Sequence, residues 1–83
     1  MDELFQRLNR AEKHIATVKN KTARKDLLKM VKTIDQVIVA ADMESVECRR
    51  VKKETPRYQE LVQQVDLLLT NLEQHITLAA LLG

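Results

Sequence analysis

The stretch KKETPRYQELVQQ, residues 52–64, contains the only proline and the only tyrosine of the chain, whose single glycine is its last residue. Thr55 suits a helix N-cap, and Pro56 suits the first helical position, where its missing N–H costs no backbone hydrogen bond. Pro56 also disfavours helical dihedral angles at Thr55, which stops any helix that runs towards it. These residues predict a hinge between two helices, with Tyr58 packing opposite Val51 at the hinge end.

The segment before the hinge predicts one long helix over about residues 23–53. A basic cluster of Arg49, Arg50, Lys52 and Lys53 falls at its expected C-terminus, where the helix dipole favours cations. The apolar residues recur at the three- and four-residue steps of a single helical face. That face consists of Leu27, Met30, Val31, Ile34, Val37, Ile38, Ala41, Ser45, Cys48 and Val51.

The segment after the hinge predicts a helix over about residues 56–82. Because the connection is short, the two long helices should form an antiparallel hairpin. Residues whose numbers sum to about 109, such as Val37 and Leu72, should then lie side by side along the two arms. The face of this helix that points into the hairpin comprises Tyr58, Leu61, Val62, Val65, Leu68, Leu69, Leu72, Ile76 and Ala79.

An additional N-terminal helix is predicted over about residues 2–19. It has one narrow apolar stripe, made of Leu4, Leu8, Ala11, Ile15 and Val18. The stripe does not continue in phase beyond Val18, so we place a break at residues 19–22, with Asn20 as a left-handed C-cap and Thr22 as the next N-cap. The sequence therefore predicts a single all-α domain over residues 1–83, an antiparallel helical hairpin with a third helix before it.

Composition and charge indicate the structural class of the protein and where in the cell it is expected. Hydrophobic residues make up 45% and charged residues 31% of the chain, which is typical of globular rather than disordered proteins. The N-terminus is charged from its second residue, and no apolar run exceeds five residues, so neither a secretory signal nor a membrane span is expected. Because Cys48 is the only cysteine, the chain cannot form an internal disulfide. A cytosolic protein without membrane insertion is expected.

The charges are arranged in blocks along the chain. Residues 1–33 carry nine basic and four acidic side chains, and residues 49–57 carry five basic and one acidic. Residues 34–48 and 58–83 carry four and three acidic side chains and no Lys or Arg. The basic blocks could contact phosphates, but helix-turn-helix spacing and stacking aromatics are lacking. Solvated helix faces explain the charges better than nucleic-acid binding does.

No arrangement of residues indicates catalysis or cofactor binding. His14 and His75 lack the spacing of a metal-ligand pair, and Cys48 on the helical face that points into the hairpin suits a buried, inert thiol. A glycine-rich phosphate loop and a nucleophile motif are lacking as well. We therefore predict a protein that is not an enzyme and has no catalytic, cofactor-binding or metal-binding residues.

The long helix before the hinge has more apolar residues than one neighbouring helix can cover. With Leu27 set at zero and about 100° per residue, a second set falls about 100–160° away. The last helix has two leucines nearly opposite its core face. Either the N-terminal helix or a partner protein should cover such residues, and a closed three-helix bundle with nothing left over is the alternative. The candidate partner-binding residues are Leu28, Val39, Met43, Val46, Leu67 and Leu78.

The hinge and the last helix resemble the small co-chaperones of the type III secretion needle subunit (YscE/PscE/SsaE type). The resemblance covers residues 51–82. It implies a bacterial cytosolic protein that binds and stabilises a larger tetratricopeptide-like chaperone, which keeps the needle subunit unpolymerised before export. A self-associating helical adaptor or coiled-coil structural protein is the alternative, and a homodimer of the isolated protein stays open. The matching residues are Pro56, Tyr58, Gln59, Leu61, Gln63, Gln64, Leu68, Leu72, Glu73 and Ile76.

Overall fold

The computed structural model describes residues 2–82, which form three helices joined by two short connections. The helices are α1 (Asp2–Ile15), α2 (Lys21–Val51) and α3 (Pro56–Leu82). α3 returns along α2 as the second arm of an antiparallel hairpin, and α1 packs on both arms. The Cα atoms extend over 49 × 16 × 15 Å, so the molecule is a rod about as long as α2. The predicted all-α, three-helix arrangement is confirmed.

The core lies where the apolar stripes of the three helices meet. Every residue of the faces predicted to point into the hairpin on α2 and α3 is buried or half-buried, and so is the whole stripe of α1. Among residues 2–82, no buried residue is polar or charged. Because the core is aliphatic, its stability comes from the close packing of branched side chains. The most deeply buried large side chains are Ile15, Ile34, Val65, Leu69 and Leu72.

α2 ends at Val51, two residues before the predicted end at Lys53. Lys52 adopts a left-handed conformation, with φ 59° and ψ 35°, and its backbone N–H donates to the Cys48 carbonyl. The N–H of Lys53 donates to the same carbonyl at 3.1 Å. The left-handed residue turns the chain away from the helix axis while the Cys48 carbonyl in the last turn accepts two hydrogen bonds.

The start of α3 follows the prediction. Pro56 is its first residue, and the Thr55 hydroxyl accepts a hydrogen bond from the Tyr58 N–H at 3.2 Å. The same hydroxyl donates to the Glu44 carboxylate at 2.8 Å. The Thr55 N–H also donates to the Cys48 sulfur at 3.5 Å. Thr55 therefore caps α3 and ties the hinge to the last two turns of α2.

α1 is shorter than predicted, since it ends at Ile15 rather than near residue 19. After Ile15 the chain tightens into a turn, in which the N–H groups of Thr17 and Val18 bond to carbonyls three residues earlier. Val18 is nevertheless buried. The turn places Val18, the last residue of the apolar stripe, in the core although the helix has already ended. Apolar periodicity therefore predicted a longer helix than the one that forms.

The predicted caps between α1 and α2 are wrong. Asn20 is the N-cap of α2 and not a left-handed C-cap of α1, because it has extended dihedral angles and its side chain accepts from the Ala23 N–H at 3.1 Å. α2 therefore begins at Lys21 instead of near residue 23, and Thr22 lies exposed in its first turn. An Asn cap of this kind contributes about 1 kcal/mol to helix stability.

A polar clamp joins α1 to α3. The Arg7 guanidinium donates to the Glu73 carboxylate at 2.7 Å and to the Thr70 hydroxyl at 3.2 Å, and it forms an ion pair with Asp66. The hydrogen bonds to Glu73 and Asp66, in that order, raise the pKa of Arg7, which therefore stays charged throughout the pH range of the folded protein. Since these partners span two turns of α3, the clamp fixes the position of α1 along the hairpin.

Candidate functional site: exposed apolar residues of α2 and α3

All six residues predicted to bind a partner are exposed. Their exposed fractions run from 51% for Leu28 to 71% for Met43, whereas the core residues of the same helices are below 10%. α1 therefore does not cover them, although the sequence left that possibility open. A closed bundle with nothing left over is wrong for this protein. The exposed residues are Leu28, Val39, Met43, Val46, Leu67 and Leu78.

Three of the six form one continuous surface on α2. Val39, Met43 and Val46 are spaced four and three residues apart, so they lie above one another on one side of the helix. We call these three residues the α2 stripe. Leu28 lies on the same side but about 16 Å before Val39, at 1.5 Å per residue. Exposed Lys32 lies between Leu28 and Val39, so Leu28 is separated from the α2 stripe.

The end of the α2 stripe nearest the hinge is bordered by an ion pair. The Nε of Arg50 donates to the Glu47 carboxylate at 2.9 Å, one turn beyond Val46. This hydrogen bond lowers the pKa of Glu47 and raises that of Arg50. With Lys32 towards the other end, the stripe is an apolar centre between charged ends. Protein–protein interfaces commonly have this apolar core and polar rim.

Leu67 and Leu78 belong to a different surface. Both lie on α3 and point away from the core that α2 and α3 share, as the α2 stripe does on its own helix. The sequence grouped Leu67 and Leu78 with the α2 residues as candidate partner-binding residues. They lie on a different helix from the α2 stripe, so the two apolar faces are described separately.

Sequence reasoning missed two exposed apolar residues. Among residues 2–81, Leu81 is the most exposed large apolar residue, at 79%, and it continues the outer face of α3 three residues after Leu78. The sequence pattern that could have identified Leu81 is its position four- and three-residue steps along α3 from Leu67, on the side of the helix opposite the core. Phe5 is partly exposed on α1, and no pattern in the sequence distinguishes it.

Tyr58 lies where α1 approaches the hinge. It is half-buried and lines a shallow groove with Leu4 of α1, Val62 of α3 and Glu54 of the hinge. Its backbone N–H is already bound by the Thr55 cap. Tyr58 therefore borders the groove between the hinge and α1. The structural role that the sequence predicts for Tyr58, with its ring opposite Val51, stays a prediction.

Replacing Tyr58 with alanine is expected to lower the free energy of unfolding by about 1–2 kcal/mol. A fully buried aromatic side chain would cost about 3–5 kcal/mol, and this ring is only half-buried. Urea denaturation followed by circular dichroism measures the change, with Tyr58→Phe as the control that keeps the ring. If Tyr58→Ala left stability intact and abolished partner binding, Tyr58 would be a contact residue instead.

The polar residues considered for chemistry lie apart from one another. His14 and His75 are exposed on different helices, and half-buried Cys48 sits beside Thr55 in the hinge. Among residues 2–82, no three His, Cys, Asp or Glu side chains come close enough to hold a metal ion. Within the same range, none of the helices has an apolar stretch long enough to cross a bilayer.

Comparisons with protein families, with curated proteins and with solved structures find no match for this chain. The candidate site is therefore defined by the positions of its own residues. It consists of the three-residue α2 stripe with charged ends and a separate apolar face on α3. They lie on the two longest helices of the fold, α2 and α3.

Proposed function

We propose that this protein is a non-enzymatic co-chaperone of a bacterial type III secretion system. In this proposal it acts in the cytosol, where it binds and stabilises a larger tetratricopeptide-like chaperone that keeps the needle subunit unpolymerised. The observation that carries the proposal is the α2 stripe, an apolar surface that the protein's own helices leave exposed. Such a surface is typical of a protein that completes its burial against a partner.

The size of the α2 stripe favours a concave partner. Burying three side chains that are already partly covered contributes about 1 kcal/mol each. Micromolar binding requires about 8 kcal/mol, so a partner that touched only the stripe would bind too weakly. A groove that encloses α2 would also cover its charged ends and Leu28. The superhelices of helical-repeat proteins provide grooves of this kind.

The identity of the partner comes from the resemblance of residues 51–82 to the needle-subunit co-chaperones. The Thr55 cap, the Pro56 start of α3 and the leucine-rich face of α3 support the hairpin that this resemblance implies. The fold and the exposed stripe fit a small partner that stabilises a larger protein by presenting one rigid helix to it.

Co-expression with the tetratricopeptide-like chaperone encoded by the same genome tests the proposal. A stable complex of equal stoichiometry is expected on size-exclusion chromatography with mass determination, and the needle subunit should stay unpolymerised in its presence. A tagged protein purified from its native host, with partners identified by mass, provides the independent measurement. Recovery of a partner that is not a helical-repeat chaperone would contradict the proposed function.

A self-associating helical adaptor is the second candidate. The observation that favours it is the outer face of α3, where Leu67, Leu78 and Leu81 are exposed in a region with no Lys or Arg. Recovery of the tagged protein only as an oligomer of itself would support this candidate over the co-chaperone.

A further inference from the structure

The outer face of α3 carries a regular seam. From Gln64 to Leu81, exposed residues recur at alternating steps of three and four, as do the a and d positions of a coiled coil. The seam is about 25 Å long at 1.5 Å per residue. It is distinct from the buried face of the same helix, whose residues already pack in the core. We call it the α3 seam, and it consists of Gln64, Leu67, Asn71, Gln74, Leu78 and Leu81.

The α3 seam contains leucines and amides but no charged residue. After Glu60, the only Asp or Glu residues of α3 are Asp66 and Glu73, and the Arg7 clamp binds both on the side that faces α1. Successive residues are about 100° apart, so Leu67 and Leu78 lie well around the helix from that side. Between Gln64 and Leu81 the seam therefore offers no charge to attract or to repel a partner, and exposed Glu60, the next position in the same stepping, borders its N-terminal end.

We propose that the α3 seam binds a second copy of this chain, with the two α3 helices antiparallel. A two-fold axis that passes between Asn71 and Gln74 places Leu67 opposite Leu78 of the second copy, and Gln64 opposite its Leu81. The same axis places Asn71 opposite Gln74 of the second copy. Amide side chains both donate and accept hydrogen bonds, so these positions are complementary to themselves. A two-fold interface requires this self-complementarity.

A second copy fits this surface better than a charged partner does. Charged side chains seated on the seam would lose water without gaining an opposite charge, whereas a second neutral seam meets no like-charge repulsion. Antiparallel pairing also sets the opposite ends of the two helix dipoles beside each other. One pair of helix seams buries less than the roughly 1,200 Å² of a standard stable interface, so the dimer is weak and depends on concentration.

Sedimentation equilibrium of the full chain between about 10 μM and 1 mM tests the dimer. The wild-type protein is expected to shift from monomer to dimer across this range. Leu67→Glu and Leu78→Lys should each weaken self-association at least tenfold, because each places an unpaired charge in the seam. An equimolar mixture of the two variants should associate again, since the antiparallel pairing sets the introduced carboxylate against the introduced ammonium while the other layer keeps two leucines.

Two further variants distinguish association through the α3 seam from misfolding and from association through the α2 stripe. Asn71→Leu combined with Gln74→Leu should tighten the dimer at least tenfold, a gain that misfolding would not produce in a chain of unchanged helicity. Val39→Asp alters the α2 stripe and should leave the dimer intact. The dimer test therefore does not depend on whether the protein binds the larger chaperone. A wild-type protein that stays monomeric to 1 mM would overturn the proposal. So would a dimer sensitive only to Val39→Asp, or a mixture of the two charged variants that stays monomeric.

Discussion

Replacing Leu72 with alanine is expected to lower the free energy of unfolding by about 2–5 kcal/mol. Leu72 is fully buried in the core cluster that all three helices build. Its truncation removes apolar contacts and leaves a cavity that rigid helices fill only in part. Domains of this size are stable by roughly 0.05–0.15 kcal/mol per residue, so the loss is a large share of the total. Urea denaturation at low protein concentration measures it.

Leu78→Ala is the matched control, because it makes the same chemical change on the same helix at a residue that is 57% exposed. It should change the free energy of unfolding by less than about 1 kcal/mol. Equal losses for the two variants at concentrations where the protein is monomeric would contradict the division of α3 into a buried face and an outer seam.

Val39→Asp is expected to weaken binding of the larger chaperone at least about 100-fold, which corresponds to about 2.8 kcal/mol. Val39 lies at the start of the α2 stripe, where the complex would bury an aspartate without a cation to pair with it. The free protein should keep its helicity and nearly all its stability, because Val39 is 57% exposed there. Calorimetric titration of the chaperone with each variant measures the affinity.

Thr33→Asp is the matched control for this experiment. Thr33 is exposed on α2 and lies about 120° around the helix from Val39. Thr33→Asp therefore introduces the same charge outside the stripe. It should bind like the wild-type protein. If Val39→Asp bound equally well, the chaperone would contact another surface. If both variants failed to bind, net charge rather than the stripe would govern the interaction.

Much of the fold followed from the sequence because helical periodicity and hinge chemistry are local properties. Thr55 and Pro56 determined where α3 begins, and the structure has the predicted cap hydrogen bond at that position. The spacing of apolar residues predicted which side of each helix is buried, since one face of a helix repeats every 3.6 residues. The same spacing predicted Val39, Met43 and Val46 as apolar residues outside the hairpin core, and they are exposed.

Helix ends were less predictable, because alternative caps compete within a few residues. Asn is suited both to ending a helix and to beginning one, and the structure has Asn20 in the second role, as the N-cap of α2. Lys52 ends α2 in a left-handed conformation that a lysine adopts only rarely. Lysine propensities therefore do not reveal this end of α2.

Three helices, their buried faces and surplus apolar residues outside the core could thus be predicted from local patterns. The position of α1 could not, and with it the finding that α1 leaves Val39 and Leu67 exposed. The reason is that helical periodicity gives the direction of each side chain about its own axis. Which of those directions meets another helix depends on contacts between distant residues, such as that of Arg7 with Glu73, which no local pattern encodes.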